Sequence, residues 1–63
     1  MPFVNLKIAG QLSEDQKREL AKDFSESLEK IAGKNPKFTY VVFEEVEREN
    51  WAIGGRLLSD PKV

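Results

Sequence analysis

The amino-acid sequence contains one long helical pattern, SEDQKRELAKDFSESLEKIAGKNP, at residues 13–36. Ser13 is followed three residues later by Gln16, a capping box in which each side chain accepts a hydrogen bond from the other residue's backbone N–H group. Gly33 is typical of the position just beyond a helix end, where the backbone turns left-handed. The sequence therefore predicts a helix over residues 14–32. Its apolar residues recur at helical spacing and form one stripe: Leu20, Phe24, Leu28 and Ile31.

A segment with strand character lies on each side of this helix. In the first, the apolar residues that alternate with polar ones are Val4, Leu6 and Ile8, which indicates a strand with one buried face. The second, FTYVVF at residues 38–43, is rich in β-branched and aromatic residues and is predicted to be a central strand, apolar on both faces. Because a strand, a helix and a second strand form a β-α-β unit, the two strands are expected to be parallel with a right-handed crossover. The predicted fold class is α/β.

The segment after the second strand, WAIGGRLL at residues 51–58, contains a glycine pair. Gly54 and Gly55 predict a turn, and short strands are expected on both sides of it. No linker, repeat or low-complexity segment interrupts the sequence, so residues 1–63 are expected to form a single domain. The predicted protomer is a short β-α-β unit with a C-terminal turn or hairpin.

The composition argues against several functional classes. The 63 residues include no Cys and no His, which removes disulfides, thiolate metal sites and the most common neutral metal ligand. Ten Lys and Arg stand against eleven Asp and Glu, and a net charge of −1 gives no basic face for nucleic acid. No apolar run approaches the roughly 20 residues of a membrane helix, and no signal peptide is visible. We therefore expect a cytoplasmic protein with no metal, nucleic-acid partner or membrane partner.

Two strands and one helix leave one face of the predicted sheet uncovered. That face carries one of two alternating sets of side chains, either Phe38, Tyr40 and Val42 or Val41 and Phe43. An exposed apolar face and unpaired strand edges favour association with another chain. We therefore expect a homo-oligomer in which the sheet continues into a neighbouring subunit.

Pro2 is the candidate general base. Without His or Cys, the remaining bases are carboxylates, lysines and the amino terminus. Met1 precedes a small residue and is expected to be removed in the cell, which leaves the secondary amine of Pro2 at the start of a buried strand. Burial among apolar side chains disfavours the charged form and lowers the pKa of an amine, so this group can act as a base. In the alternative interpretation, Pro2 only opens a strand at a position that needs no N–H group.

These features together resemble the 4-oxalocrotonate tautomerase family. The resemblance covers nearly the whole chain: Pro2 opening a strand, the capped helix, the second strand and the segment WAIGG at residues 51–55. It implies a β-α-β protomer that pairs through its strands and assembles as a hexamer, a trimer of dimers. It also implies that Pro2 is the general base in the enol–keto tautomerisation of 2-hydroxy-dienoate acids, a reaction that needs no cofactor.

The resemblance also assigns residues to the substrate pocket. Trp51 matches an aromatic residue of the family's pocket wall, and we expect it to line an apolar pocket together with Ile53. Packing at a subunit interface is the other interpretation of Trp51, and the two are compatible.

The chain departs from the family at two cationic positions. The best-studied members carry arginines where this chain has Leu12 and Tyr40, and those arginines bind substrate carboxylates. Arg48 and Arg56 are candidates to anchor an anionic substrate instead, because a guanidinium group pairs bidentately with a carboxylate. Both are also consistent with ordinary surface charges. Tyr40 is a candidate to donate a hydrogen bond to the enolic oxygen. In the alternative interpretation, its side chain has only a packing role.

Two other functions remain open from the sequence. If the Pro2 amine is protonated, it is a general acid for hydration or dehalogenation of unsaturated acids, as in the wider superfamily. If Pro2 is only structural, the chain is a non-catalytic small oligomeric protein. A pair of carboxylates is not predicted to act as the acid and base, because Glu44 and Glu45 are adjacent in a strand and point to opposite faces.

Overall fold

The computed structural model describes residues 1–61 and contains a parallel two-stranded sheet, one long helix and a small hairpin. The strands and the helix are β1 (Phe3–Ala9), α1 (Glu14–Ala32), β2 (Tyr40–Val46), β3 (Ala52–Ile53) and β4 (Arg56–Leu57). Single turns of 3₁₀ helix lie at Pro36–Phe38 and Arg48–Asn50. The predicted α/β class and the order of elements are confirmed.

The two long strands pair in parallel, as predicted, from Phe3 opposite Tyr40 to Ala9 opposite Val46. The predicted start of the second strand at Phe38 is wrong, because Phe38 belongs to the 3₁₀ turn opened by Pro36. Proline has no N–H group to donate to a neighbouring strand, and its fixed φ suits the first position of a helical turn. The strand instead continues to Val46, three residues beyond the predicted end.

Helix α1 has the predicted bounds. The capping box is formed: the Gln16 N–H donates to Ser13 Oγ at 3.1 Å, and the Ser13 N–H donates to Gln16 Oε1 at 2.9 Å. Gly33 has a left-handed backbone (φ 66°), and its N–H donates to the Glu29 carbonyl at 3.0 Å. These bonds satisfy backbone groups that a helix end would otherwise leave unpaired.

The helix covers only one face of the sheet. The side chains that face it are half-buried: Val4, Leu6, Ile8, Val41 and Phe43. The opposite face, which we call the open face, carries Phe3, Tyr40 and Val42, which are 60%, 55% and 38% exposed. No residue within 1–61 is fully buried in the single chain. The structure thus selects the first of the two predicted sets for the open face, without Phe38.

Ile31 departs from the predicted apolar stripe, because it is 83% exposed. Its predicted partners on the stripe, Leu20, Phe24 and Leu28, are half-buried. A helix of 19 residues is about 28 Å long, whereas a strand of seven residues spans only about 23 Å. The last turn of α1 therefore extends past the sheet, and the rest of residues 1–61 leaves Ile31 largely uncovered.

Glu45 joins the C-terminal end of β2 to the start of the helix. Its carboxylate accepts a hydrogen bond from Lys17 Nζ at 2.7 Å and another from the Leu12 N–H at 2.9 Å. Glu44 points to the open face, where it accepts from Asn5 Nδ2 at 2.6 Å. The predicted opposite orientation of the two glutamates is confirmed.

The Glu45 link is expected to weaken in acid. The hydrogen bond from Lys17, followed by that from Leu12, holds the pKa of Glu45 below its ordinary value of 4.5. Because the pKa of Glu45 is lower in the folded state, its link to Lys17 and Leu12 stabilises the fold fully at pH values above 4.5. The stabilisation is lost as the pH falls through the lowered pKa of the folded protein. We expect the Tm of Glu45→Gln to fall less steeply than that of the wild type below pH 4.5, as measured by circular dichroism.

A double-mutant cycle tests whether Lys17 is the partner responsible. Lys17→Gln should flatten the acid response in part, because the Leu12 N–H still lowers the pKa of Glu45. Adding Glu45→Gln should then change the response less than it does in the wild type. Glutamine at position 45 retains an oxygen that can accept from the Leu12 N–H, so the cycle isolates the ionic contact. Additive effects of the two substitutions would contradict the link.

The C-terminal hairpin forms as predicted around the glycine pair. Ala52 pairs with Leu57 and Ile53 with Arg56 in antiparallel register. Gly54 and Gly55 have φ values of 60° and 80°. Two successive positive φ values define the tight turn that matches the twist of a hairpin, and glycine adopts them at little cost.

Candidate active site

Pro2 lies at a cavity of about 390 Å³ at the N-terminal end of the sheet. The residues that line this cavity, the proline cavity below, are Met1, Pro2, Lys34, Asn35, Lys37, Phe38 and Tyr40. Pro2 is half-buried, and its carbonyl accepts a hydrogen bond from the Tyr40 N–H at 2.9 Å. The cavity thus combines the predicted base with two aromatic side chains and two cations.

The sequence interpretation missed Lys34 and Lys37. In a parallel β-α-β unit, the connection from the helix must return to the end of the sheet where the first strand begins. The segment before β2 therefore has to lie beside Pro2, so this signal was present in the predicted topology. The ability of a guanidinium group to pair with a carboxylate pointed instead to Arg48 and Arg56, nearer the C-terminal end of the chain.

The segment that carries both lysines is held by its own hydrogen bonds. Asn35 Oδ1 accepts from the Lys37 N–H at 2.9 Å, and the Asn35 carbonyl accepts from the Phe38 N–H at 3.0 Å. The same carbonyl accepts from Thr39 Oγ1 at 3.1 Å, and the Lys34 N–H donates to the Leu28 carbonyl at 3.2 Å. The backbone on either side of each lysine is therefore fixed relative to Pro2.

The two candidate arginines lie together in a different place. Arg48, Ile53 and Arg56 line a second cavity of about 350 Å³ with Leu57, Leu58 and Asp60. Arg48 Nη2 donates to the Leu58 carbonyl at 3.1 Å, and Arg56 Nη2 donates to the Pro61 carbonyl at 2.7 Å. These bonds tie both guanidinium groups to the backbone that follows the hairpin.

Within one chain, this second cavity is far from Pro2. Pro2 precedes β1, whereas Arg48 follows the C-terminal end of the parallel strand β2. The seven residues of the strand separate the two ends by about 23 Å. Within one protomer, Tyr40 therefore lies at the same cavity as Pro2. The other candidate residues lie at the opposite end of the sheet: Arg48, Ile53 and Arg56.

Trp51 lies beside the second cavity rather than at Pro2. Its backbone carbonyl accepts from the Leu58 N–H at 3.0 Å, and its side chain is half-buried. In the part of the chain that the structure describes, its buried indole Nε1 has no hydrogen-bond acceptor. A buried tryptophan N–H group usually finds one.

The two positions that depart from the family pattern have different surroundings. Tyr40 lines the proline cavity. Leu12 is at the other end of the sheet, where its N–H donates to Glu45 and its side chain lines a shallow depression with Glu19 and Asp23.

Residues 1–61 lack two further features that would indicate other functions. No three acidic side chains lie close enough together there to hold a metal ion. No helix of this described part is both long and apolar enough to cross a membrane.

The parallel β-α-β unit with a proline directly before its first strand defines a small α/β protein with the tautomerase fold. A family model described as "Tautomerase enzyme" matches residues 2–61. The chain belongs to this tautomerase family and is therefore an isomerase-type enzyme. The resemblance found in the sequence is confirmed.

Similar proteins support the same assignment. A protein of Dickeya dadantii described as a probable tautomerase is 39% identical over 61 residues, which cover 95% of this chain and 91% of that protein. The 2-hydroxymuconate tautomerase of Bacillus subtilis is 30% identical over 60 residues, covering 95% and 97% of the two chains. The crystal structure of YwhB, a homologue of 4-oxalocrotonate tautomerase, has a TM-score of 0.88 at 28% identity, covering 97% of this chain and 100% of the other.

Proposed function

We propose that the chain catalyses the enol–keto tautomerisation of a 2-hydroxy-dienoate acid, with Pro2 as general base after Met1 is removed. The observation that carries this proposal is the position of Pro2 at a cavity with aromatic and cationic walls. The name of the Bacillus subtilis relative, a 2-hydroxymuconate tautomerase, points to the same substrate class. Tyr40, which lines the same cavity, is suited to donate a hydrogen bond to the enolic oxygen.

The proposed reaction needs only one group that carries a proton. The Pro2 nitrogen accepts the proton of the substrate's 2-hydroxyl group, and the C–O bond becomes a carbonyl. The electron pair of the enol moves along the diene to a carbon atom. The protonated Pro2 then donates a proton to that carbon, so the amine is regenerated and no electrons are gained or lost overall.

Two physical effects favour a neutral amine at Pro2. The aromatic side chains of Phe38 and Tyr40 replace part of the water around it, which disfavours the charged form. Lys34 and Lys37 add positive charge to the same cavity, and a nearby like charge also disfavours protonation. Both effects act in the direction that a general base at neutral pH requires.

The proposed active site also needs residues from a second subunit. The open face and the hairpin expose apolar side chains, including Ile53 at 73%, that an oligomer would cover. We propose a homo-oligomer, a hexamer arranged as a trimer of dimers. In it, the hairpin of a neighbouring subunit supplies Trp51, Ile53, Arg48 and Arg56 to the proline cavity.

The pKa of the Pro2 amine tests the proposed role directly. Mass spectrometry first establishes that Met1 is absent, and ¹⁵N NMR then follows the titration of the terminal nitrogen. A free α-amino group titrates at about 7.7–8.0 and a secondary amine somewhat higher, and we expect a pKa well below this range.

The other outcomes of the titration separate the remaining functions. A raised pKa would make Pro2 a general acid and favour a hydratase or dehalogenase. An unshifted pKa would place the amine in water as an ordinary terminus and contradict catalysis by Pro2.

A further inference from the structure

The proline cavity concentrates positive charge in a chain whose net charge is −1. Two of its seven lining residues are lysines, and none of the seven is acidic. Of the ion pairs formed within residues 1–61, none involves Lys34 or Lys37. Both charges are therefore available to an anion that enters the cavity.

The two lysines also lie on a short segment, residues 34–39, that is held by hydrogen bonds rather than on a flexible loop. Asn35 accepts hydrogen bonds from three groups between positions 37 and 39, and Gly33 ends the helix immediately before the segment. Only the side chains beyond the Cα atoms of Lys34 and Lys37 have to be ordered when a ligand binds. This reduces the conformational entropy lost on binding.

We propose that Lys34 and Lys37 bind the carboxylate group of the substrate in the proline cavity. This assignment rests on the proposed function and extends it: the lysines are positioning residues that select dienoate acids over uncharged dienols. They supply, from the connection between α1 and β2, the charge that the chain lacks at Leu12 and Tyr40. The apolar surfaces of Phe38 and Tyr40 are left to contact the conjugated chain.

Binding of an unreactive dienoate tests the assignment without any need for turnover. Sorbate has a conjugated diene and one carboxylate but no hydroxyl group, and sorbamide is its uncharged counterpart. In NMR titrations of ¹⁵N-labelled protein at low ionic strength, we expect sorbate to bind at least about tenfold more tightly than sorbamide, because hydrogen bonds to charged groups are the stronger ones.

Substitutions then assign this preference to the two lysines. The double variant Lys34→Gln/Lys37→Gln should lose most of the preference for sorbate, keeping only what the arginines of a neighbouring subunit supply. Lys34→Arg/Lys37→Arg should keep the full preference. Lys22→Gln, on the exposed surface of α1, is the control with the same loss of charge and should behave as the wild type. A preference for sorbate that is as large in the double glutamine variant as in the wild type would overturn the assignment, as would its absence in the wild type.

The same variants separate this assignment from the proposed function. Removing both lysines should also raise the pKa of the Pro2 amine, because it removes like charge from the cavity. If Pro2→Ala abolishes turnover while the double glutamine variant keeps the wild-type kcat/KM for a 2-hydroxy-dienoate, the lysine assignment fails and the proposed function stands. If Pro2→Ala leaves turnover unchanged, the proposed function fails, and the sorbate titrations still decide what the lysines bind.

Discussion

Replacing Pro2 with alanine is expected to lower the kcat/KM for 2-hydroxy-dienoate tautomerisation by about 10²–10⁴-fold, the usual contribution of a positioned general base. Alanine leaves a primary amine with a different basicity, and without the ring the amine is no longer fixed at the start of β1. The loss should appear mainly in kcat, because the cavity that binds the substrate remains. Spectrophotometric ketonisation assays measure both constants.

Chemical blocking of the Pro2 amine removes the proposed base without substituting any side chain of the cavity. Protein with a chemically blocked amino terminus should lose activity at least as severely as Pro2→Ala, because no nitrogen lone pair remains to accept the proton. Pro61→Ala, a proline substitution outside the proline cavity, is the control and should keep wild-type activity. Turnover that survives both changes at Pro2 would rule out the general-base role.

Placing an aspartate at Val42 is expected to disrupt the assembly and, with it, the fold. Val42 lies on the open face of β2, between the positions of Tyr40 and Glu44. If a neighbouring subunit covers this face, Val42→Asp buries a carboxylate without a partner, at a cost of several kcal/mol. Sedimentation velocity should show dissociated protein, and circular dichroism should show a strongly lowered Tm.

The control for Val42→Asp carries the same charge on the outer side of the protomer. Ser27 is exposed on α1, so Ser27→Asp should leave both the sedimentation coefficient and the Tm close to the wild-type values. If the protein is a stable monomer, the partly exposed Val42 should tolerate aspartate almost as well as Ser27 does. A folded monomer at micromolar concentration would contradict the proposed oligomer itself.

Elements whose signals are local could be predicted from the sequence. The helix bounds follow from Ser13, Gln16 and Gly33, which satisfy backbone groups within a few residues of themselves. The hairpin follows from Gly54 and Gly55, because few other residues adopt two successive positive φ values. The parallel pairing follows from the order of elements, since a right-handed crossover is nearly universal.

Other features depended on which parts of the chain meet. Phe38 has strand character, but Pro36 and Asn35 place it in a 3₁₀ turn. Ile31 has the correct helical spacing, but the sheet ends before it can provide a contact. Arg48 and Arg56 looked suited to the site of Pro2, and only the three-dimensional structure shows that one chain holds them at the opposite end of the sheet.

The sequence alone determined the β-α-β unit, because short-range hydrogen bonding and hydrophobic periodicity are encoded within each segment. The family came from a resemblance of the whole chain, and Pro2 became the candidate base through that resemblance and the lack of His and Cys. Tertiary structure decided which face of the sheet remains open and which cations share a cavity with Pro2. Those outcomes depend on strand register and on where the connection returns, so they are set by contacts between residues distant in the chain. Lys34 and Lys37 reach Pro2 for that reason, although more than 30 positions separate them from it.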